Sequence, residues 1–333
     1  MVISNTDAKG KESENMELFT SKGRSFVIYY HIRPDGDCIG SAYGLAVYLQ
    51  SHANRTLVLG NEPVPDVFAY QLEEYSDDFS PDAVPADAVR ISVDVSTPER
   101  LGRYQHEKID ICFDHHMANT IEAREKIVDE NAASCTELLF SLLKDRLPEC
   151  PRRKMICDLL FMGLITDTNC FRNESVRPAS YRAAAEMAEL GADFTAISQR
   201  HALIKSSQQM EMEKRLVSSY QKVEGYGIVS GVLTQRDADE VGVGINKFET
   251  LSSLPMIMED TRLSLVVREL GNGNSRVAVR TRGGLSADKL ARKFGGGGHF
   301  NAAGCTLAMG PEQMREFFVR KAMELIDAEK GEG

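Results

Sequence analysis

Short apolar runs that alternate with helix-like segments are the feature that most constrains the fold of this chain. Four such runs are bounded by polar residues, as is typical of buried strands. They are SFVIYY (25–30), RTLVLG (55–60), RISVDV (90–95) and KIDICF (108–113). Helix-like segments lie between or after them, at 41–50, 135–142 and 155–166. Strands that alternate with helices predict a parallel sheet covered on both faces.

The chain of 333 residues is longer than one hydrophobic core usually serves, so we expect two domains. The predicted fold class is α/β. A parallel-sheet domain at 16–195 is joined by a helical connector at 196–222 to a smaller α/β domain at 223–330. In the smaller domain, two alternating runs flank the turn sequence GNGNS and predict a hairpin. Ser134 with Glu137 has the spacing of a capping box, and Ser286 is a candidate helix cap.

Charge and cysteine content restrict the function. The formal net charge of −10 argues against binding a long nucleic acid over a broad basic face. The apolar runs are too short to span a bilayer, and the first ~15 residues read as a polar tail without the apolar core of a signal peptide. The seven cysteines include no CxxC pair, which disfavours a disulfide framework or a zinc ribbon and fits a reducing cytoplasm.

Acidic and imidazole side chains cluster near the ends of the predicted strands. In an open α/β sheet, ligands bind beyond the carboxyl ends of the strands, so these side chains are expected to share one cleft. The candidates are His31, Asp35 and Asp37 after the first strand, Asp94 in the third, Asp114, His115 and His116 after the fourth, and Asp167 at a helix end. Each motif is weak alone, but their repetition favours one site.

The carboxylates of Asp35, Asp37, Asp94 and Asp167 would bring four negative charges into this site. Like charges a few ångströms apart force protonation unless they are compensated. Two divalent cations would balance them and would form a clamp for displacement at phosphorus. Oxygen and imidazole ligands favour Mn²⁺ or Mg²⁺, with Co²⁺ or Zn²⁺ as substitutes. A calcium loop is the alternative, but histidines suit calcium poorly and its regular loop spacing is missing.

A glycine-rich segment marks the second domain. KFGGGGHFNAAG, at 293–304, places four glycines before His299. It is not a Walker loop, because no Gly-Lys-Ser/Thr follows. Glycine permits a close backbone approach, and we expect these amides to line an anion-binding nest.

An arginine-bearing strand precedes the glycines. In RVAVRTR (276–282), a period of two places Arg276, Arg280 and Arg282 on one face and Val277 and Val279 on the other. Further basic residues follow at Lys289, Arg292 and Lys293. In an acidic chain this basic face indicates phosphate capture, for which arginine is well suited, with a solvated strand edge as the alternative.

At this point the motifs resemble a known family. HIRPDGDCIGS, VDVS, DHH and TDTNCF, in this order between residues 31 and 171, are similar to the four motifs of DHH phosphoesterases. RTR followed by FGGGGHFNAAG resembles the companion DHHA1 domain. A compact chain with only these two domains is similar to the nanoRNase (oligoribonuclease) and pAp-phosphatase type. RecJ-like exonucleases usually carry extra domains, and family II pyrophosphatases lack the glycine-rich histidine motif.

The resemblance implies roles for individual residues. The implied metal ligands are His31, Asp35, Asp37, Asp94, His115 and Asp167, with Asp94 bridging both ions. His116 would face the scissile phosphate, and Asp114 would orient a neighbouring imidazole as its catalytic partner. The implied substrate-binding residues are Arg280, Arg282, Gly296, Gly297, Gly298 and His299. RTR is a variant of an Arg-Ser-Lys-like family segment, so this segment departs from the family pattern.

The implied activity is a two-metal hydrolysis, with Mn²⁺ as the preferred ion, in which water is the acceptor. The expected substrates are short oligoribonucleotides and linear dinucleotides, released as nucleoside monophosphates, and pAp, converted to AMP. The expected partners are therefore short RNA or nucleotides, without a track for long nucleic acid and without a membrane, while homodimer formation stays open. The alternatives are an inorganic pyro- or polyphosphatase, a RecJ-like single-strand exonuclease and a non-catalytic nucleotide-binding module.

Overall fold

The computed structural model describes residues 17–331, apart from the side chains of 246–250 and 330–331. The chain divides into two compact units between Ile204 and Lys205. None of the helices in the described part of the chain is both long and apolar enough to cross a bilayer.

The first unit contains a parallel sheet of five strands. Its elements, in chain order, are β1 Ser25–Tyr29, α1 Gly36–Ser51, β2 Arg55–Leu59, α2 Asp66–Ala69, β3 Val89–Val93, β4 Ile109–Asp114, β5 Ala123–Val128, α3 Cys135–Leu143, α4 Arg152–Asp167, α5 Pro178–Glu189 and α6 Phe194–Ala202. The strand order is β2-β1-β3-β4-β5, and every neighbouring pair is parallel. The predicted α/β class and parallel sheet are confirmed.

The two faces of this sheet are covered differently. Residues such as Ile28, Ile91 and Phe113 pack on the helical side, in a core that includes α1, α3 and α4. On the other side, Val27 and Cys112 pack against Leu101 of a 3₁₀ helix, Pro98–Tyr104, and against loop residues such as Phe79. Both faces are covered, as predicted, but α1, α3 and α4 pack on one face, while a 3₁₀ helix and loops cover the other.

The fifth strand, β5, is missing from the sequence prediction. Its sequence AREKIV contains three charged residues, and its side chains alternate between half-buried and exposed over the first four positions. Such a strand lacks the continuous apolar run of the other four, because none of its side chains is fully buried and it pairs only with β4 at one edge of the sheet. Edge strands carry charges that discourage pairing with other chains.

The predicted helical connector is not one helix. The structure has α6, which ends at Ala202, and then α7 Ser207–Ser218, and a strand, β6 Gln221–Val223, occupies its final residues. Ser206 explains the interruption, because its hydroxyl accepts a hydrogen bond from the amide of Gln209 at 3.0 Å and starts a new helix. The predicted domain limits themselves stay a prediction.

The second unit contains a mixed sheet of six strands. Its further elements are β7 Ile228–Leu233, α8 Gln235–Val241, β8 Leu263–Gly271, β9 Asn274–Thr281, α9 Ala287–Arg292, β10 Gly297–His299, β11 Ala302–Leu307 and α10 Pro311–Gly331. The strand order is β10-β11-β9-β8-β7-β6. Strands β8 and β9 form the predicted hairpin, and Ser286 caps α9 by accepting from the amide of Lys289.

Strand β9 separates apolar from basic side chains as its period of two predicts. Val277 and Val279 are fully buried against α9 and α10, whereas Arg276 and Arg280 are half-buried on the opposite face. Arg282 lies one residue beyond the strand and is exposed.

Candidate metal centre and phosphate-binding face

The acidic and imidazole side chains of the first unit meet where the strand order reverses. Strand β1 lies between β2 and β3, so the carboxyl ends of β1 and β3 flank a topological switch point, where α/β sheets bind ligands. His31, Asp35 and Asp37 follow β1, and Asp94 follows β3. The next strand, β4, ends at Asp114, which precedes the histidine pair.

The start of α1 positions two carboxylates. Asp35 caps this helix and accepts a hydrogen bond from the amide of Cys38 at 3.1 Å. Asp37 is 1% exposed, and its carboxylate accepts from the amides of Cys135 and Thr136 at 2.7 and 2.9 Å and from the Thr136 hydroxyl at 2.8 Å. The N-terminus of α3 therefore holds Asp37 in place. Thr136 is a functional residue that the sequence did not predict, because nothing local links it to a residue 99 positions away.

Asp94 lies at the centre of the cluster. It is 2% exposed and stands one residue after β3, not within the strand as the sequence analysis expected, because its φ of 57° ends the extended conformation. One carboxylate oxygen, Oδ2, is 3.4 Å from Nε2 of His31. The other, Oδ1, is 3.5 Å from Nε2 of His115 and 3.7 Å from Nδ1 of His116.

His115 connects this centre to the end of α4. Its Nε2 atom lies 3.7 Å from Asp37 Oδ2 and 3.7 Å from Oδ2 of Asp167, the last residue of that helix. Within the part of the chain that the structure describes, three groups of side chains place ligand atoms within 4.8 Å of one another. They are His31, Asp35 and Cys38; Asp94, His115 and His116; and Asp37, His115 and Asp167.

Asp114 serves a different purpose from the other acids. It is fully buried, and its two oxygens accept hydrogen bonds from Nδ1 of His116 at 2.7 Å and from the amide nitrogen of Asn119 at 2.6 Å. Although burial acts in the opposite direction, these two partners lower the pKa of Asp114. The bond to Asp114 raises the pKa of His116. Asn119 escaped the sequence analysis, since an asparagine five residues after Asp114 carries no signal of its own.

The donor set fits divalent cations. Among the described residues, His31 Nε2 and Asp94 Oδ1 are buried polar atoms without a hydrogen-bond partner, which is rare in folded proteins. The nitrogen-to-oxygen separations of 3.4 to 3.7 Å exceed ordinary hydrogen bonds. Two ligands that share an ion at about 2.1 Å lie at comparable separations from each other.

The electrostatics of the cluster support the same interpretation. Burial raises the pKa of Asp37 and of Asp94, and burial together with the neighbouring carboxylates raises the pKa of Asp167 to about 8. Simultaneous ionisation of these carboxyl groups is therefore unfavourable unless cations are bound. Cys38, which the sequence analysis did not consider as a ligand, is held as a thiol because burial raises its pKa to about 12.

In the second unit, the structure places His299 and Arg280 on one face of the sheet. His299 in β10 lies opposite Ala302 in β11, and Ala302 lies opposite Arg280 in β9. Directly paired residues share a face, so the imidazole and the guanidinium flank the small side chain of Ala302. Arg280 also donates to the hydroxyl of Ser252 at 2.9 Å.

The glycine run does not form the expected anion nest. The amides of Gly295, Gly296 and Gly298 already donate to Arg292 O, Ala291 O and Asp288 Oδ1, at 3.2, 3.1 and 3.0 Å. A Cβ atom on Gly296 would lie 2.3 Å from the carbonyl oxygen of Gly304. The absence of side chains at Gly296 and Gly298 therefore allows this segment to pack closely against β11. The nest expectation was wrong because it treated the amides without their tertiary partners.

Residues 25–164 match the model of the DHH family N-terminal domain, and residues 247–327 match the DHHA1 domain. A protein from Thermus thermophilus named "Bifunctional oligoribonuclease and PAP phosphatase NrnA" is 28% identical over 282 residues, which cover 83% of this chain and 82% of that protein. A protein of the same name from Mycoplasma genitalium is 23% identical over 292 residues, covering 84% and 88%.

Among solved structures, an exopolyphosphatase-related protein from Bacteroides fragilis superposes with a TM-score of 0.82. The two chains are 20% identical, and the match covers 97% of this chain and 98% of the other. At this identity the similarity shows the fold alone.

Proposed function

Because the chain belongs to the DHH phosphoesterase family, we propose that this phosphoester hydrolase cleaves short oligoribonucleotides and linear dinucleotides to nucleoside monophosphates. We propose that it also converts pAp to AMP. Two relatives that match more than four fifths of this chain carry both activities in their names, and this supports the substrate class.

The observation that carries the proposal is the pair of buried, unpartnered ligand atoms, His31 Nε2 and Asp94 Oδ1. They lie among four carboxylates and three imidazoles at the switch point of the sheet. Most buried polar atoms in folded proteins have a hydrogen-bond partner, so two unpartnered ligand atoms within one acidic cluster support a bound cation. The arrangement is therefore explained best as a centre for hydrolysis assisted by metal ions.

In this proposal, six side chains hold two divalent cations, preferably Mn²⁺, with Mg²⁺ and Co²⁺ as alternatives. They are His31, Asp35, Asp37, Asp94, His115 and Asp167. Bound cations would supply charge neutralisation at the phosphoryl oxygens and a water activated near neutral pH. Asp94 has imidazoles on both of its oxygens, which supports a bridging role. The amides and hydroxyl at the start of α3 keep Asp37 oriented.

His116 is proposed to act on the substrate. Its side chain is 42% exposed, the most exposed of the three imidazoles, so it is accessible to a bound phosphate. The hydrogen bond to Asp114 fixes the ring and favours the protonated form. A cationic imidazole stabilises negative charge on the transferring group or donates a proton to the leaving oxygen.

The second unit is proposed to anchor the nucleotide. His299 and Arg280 share a face, and the small residues between them leave room for a phosphate. Arg282 follows directly after the strand. Gly296 and Gly298 act through close packing rather than as a nest, whereas a Cβ atom on Gly297 would have no neighbour nearer than 4.0 Å, and Gly297 stays a proposed substrate contact. With a net charge of −10 and few basic residues in this face, the protein is suited to a few nucleotides. We propose a cytoplasmic location from the absence of cysteine pairing motifs.

A substrate panel tests this function. The Mn²⁺-loaded protein is incubated with pAp, a linear dinucleotide, a pentanucleotide, a 24-mer and inorganic pyrophosphate, and the products are resolved by chromatography. We expect the dinucleotide and the pentanucleotide to be cut faster than the 24-mer, with a shallow dependence on salt. Equal rates on the 24-mer with a steep salt dependence would indicate a RecJ-like exonuclease, and exclusive turnover of pyrophosphate would indicate a pyrophosphatase.

A further inference from the structure

The loop that follows Asp167 has an unusual backbone. Asn169, Cys170 and Phe171 all have positive φ, at 48°, 57° and 60°, and none of them is glycine. A non-glycine residue in the left-handed region is strained, because its Cβ atom lies too close to the following carbonyl oxygen. Consecutive strained residues persist only where the surrounding structure enforces them, and such strain concentrates at functional sites.

Thr168 and the end of α4 enforce this conformation. The fully buried hydroxyl of Thr168 accepts from the amide of Phe171 at 3.1 Å, and its carbonyl accepts from the amide of Arg172 at 2.9 Å. The amide of Cys170 donates to Ile165 O at 2.8 Å, and Asn173 donates to Asp167 O at 2.7 Å. The loop is therefore held rigidly beside a candidate metal ligand.

The result of this turn is an exposed aromatic stack. The ring of Phe171 packs against the core of the first unit and stacks on the ring of Tyr181, with centroids 4.9 Å apart and planes at 21°. Tyr181, in the first turn of α5, is 56% exposed. Phe171 thus supports Tyr181 from the protein side, while much of the tyrosine surface faces solvent.

Three arginines lie close to these two aromatic residues in the sequence. Arg172, Arg177 and Arg182 lie within 168–182, and Glu174 is the only acid in that segment. Arg177 donates to Asn131 O at 3.2 Å, and the neighbouring carbonyl, Ala132 O, lies 3.3 Å from Nδ1 of His115. Arg177 is therefore tied to the loop that contacts His115.

An exposed aromatic ring among arginines has the composition of a stacking site for single-stranded nucleic acid. Every nucleobase has a face that stacks on tyrosine, and arginine binds the adjoining phosphates. We infer that Tyr181, supported by Phe171, stacks on the nucleobase next to the scissile phosphate. This subsite rests on the proposed function, because it assigns a position to one base of the same substrate.

The decisive kinetic test compares Tyr181→Ala with Tyr181→Phe in the metal-loaded protein. Phe194, 52% exposed in α6, provides a matched control as Phe194→Ala. On a linear dinucleotide, Tyr181→Ala should raise KM about 5- to 150-fold, the measured range for loss of one base–aromatic stack. Tyr181→Phe and Phe194→Ala should stay near wild type. On the same dinucleotide without its bases, Tyr181→Ala should match wild type.

Binding to a non-cleavable dinucleotide separates this subsite from the proposed activity. The analogue carries 2-aminopurine as its bases and a methylphosphonate linkage, and stacking on tyrosine quenches its fluorescence. Quenching that Tyr181→Ala removes supports the subsite even if natural dinucleotides are not hydrolysed, in which case the proposed function alone fails. Normal hydrolysis with equal KM in wild type and Tyr181→Ala would overturn the subsite alone. An equal loss on the abasic substrate would also overturn it.

Discussion

Replacement of Thr136 by valine tests how the fold controls the metal centre. The hydroxyl of this buried residue donates to Asp37 at 2.8 Å, while two backbone amides hold the same carboxylate. Valine has nearly the same shape but no hydroxyl. A hydrogen bond to a charged group contributes about 1.5–3 kcal/mol, which corresponds to roughly 10- to 150-fold in an equilibrium constant.

We therefore expect Thr136→Val to weaken Mn²⁺ binding by about 10- to 100-fold, the usual effect of removing a group that orients a ligand. Calorimetric titration of the metal-free protein with Mn²⁺ measures this directly. The hydroxyl of Ser134, 2.8 Å from that of Thr136, also loses a partner, so the free energy of unfolding should fall by about 1–3 kcal/mol.

Thr56→Val is the matched control for this experiment. Thr56 is also fully buried in the first unit, and its hydroxyl accepts from Gln50 at 2.9 Å, away from the acidic cluster. It should lose stability without a change in Mn²⁺ affinity. If Thr136→Val binds Mn²⁺ as tightly as wild type, or if Thr56→Val weakens binding equally, then the hydroxyl of Thr136 does not control the geometry of Asp37.

Three further predictions follow from the site and the core. Chelation or Asp94→Asn should abolish phosphoesterase activity, and the variant should remain folded in thermal melts because asparagine tolerates positive φ; activity in EDTA would refute the metal assignment. Arg280→Ala should raise KM for a dinucleotide about tenfold with kcat retained, whereas an equal loss on a simple aryl phosphodiester would deny nucleotide anchoring. Burial, with the charge of Arg200, lowers the pKa of His201 from 6.5 to about 4. The unfolded chain therefore binds a proton first as pH falls from 6.5 to 4, and stability declines in this window. His201→Gln should reduce this pH dependence of the free energy of unfolding, measured by urea denaturation. An unchanged pH dependence would contradict the prediction.

The sequence alone predicted the elements whose signals are local. The apolar runs at 25–30 and 108–113 became central strands because a strand buried on both faces must be apolar along its length. The alternation in 276–282 assigned Val277 to the core and Arg280 to the other face, since the period of two is a property of the backbone. The clustering of acids followed from the rule that parallel strands end at one edge of a sheet.

Tertiary structure decided whatever depends on partners distant in the chain. Asp37 is held by Cys135 and Thr136 at the start of α3, which are 98 and 99 residues away. No sequence pattern around Thr136 predicts this contact. The glycine amides were expected to bind an anion, but α9 already accepts two of them and Asp288 a third. Strand β5 has a polar sequence without a strand signal, and it is identified as a strand only by its pairing with β4. In each case the arrangement is stabilised by a contact between residues distant in the chain, which local propensity and spacing do not predict.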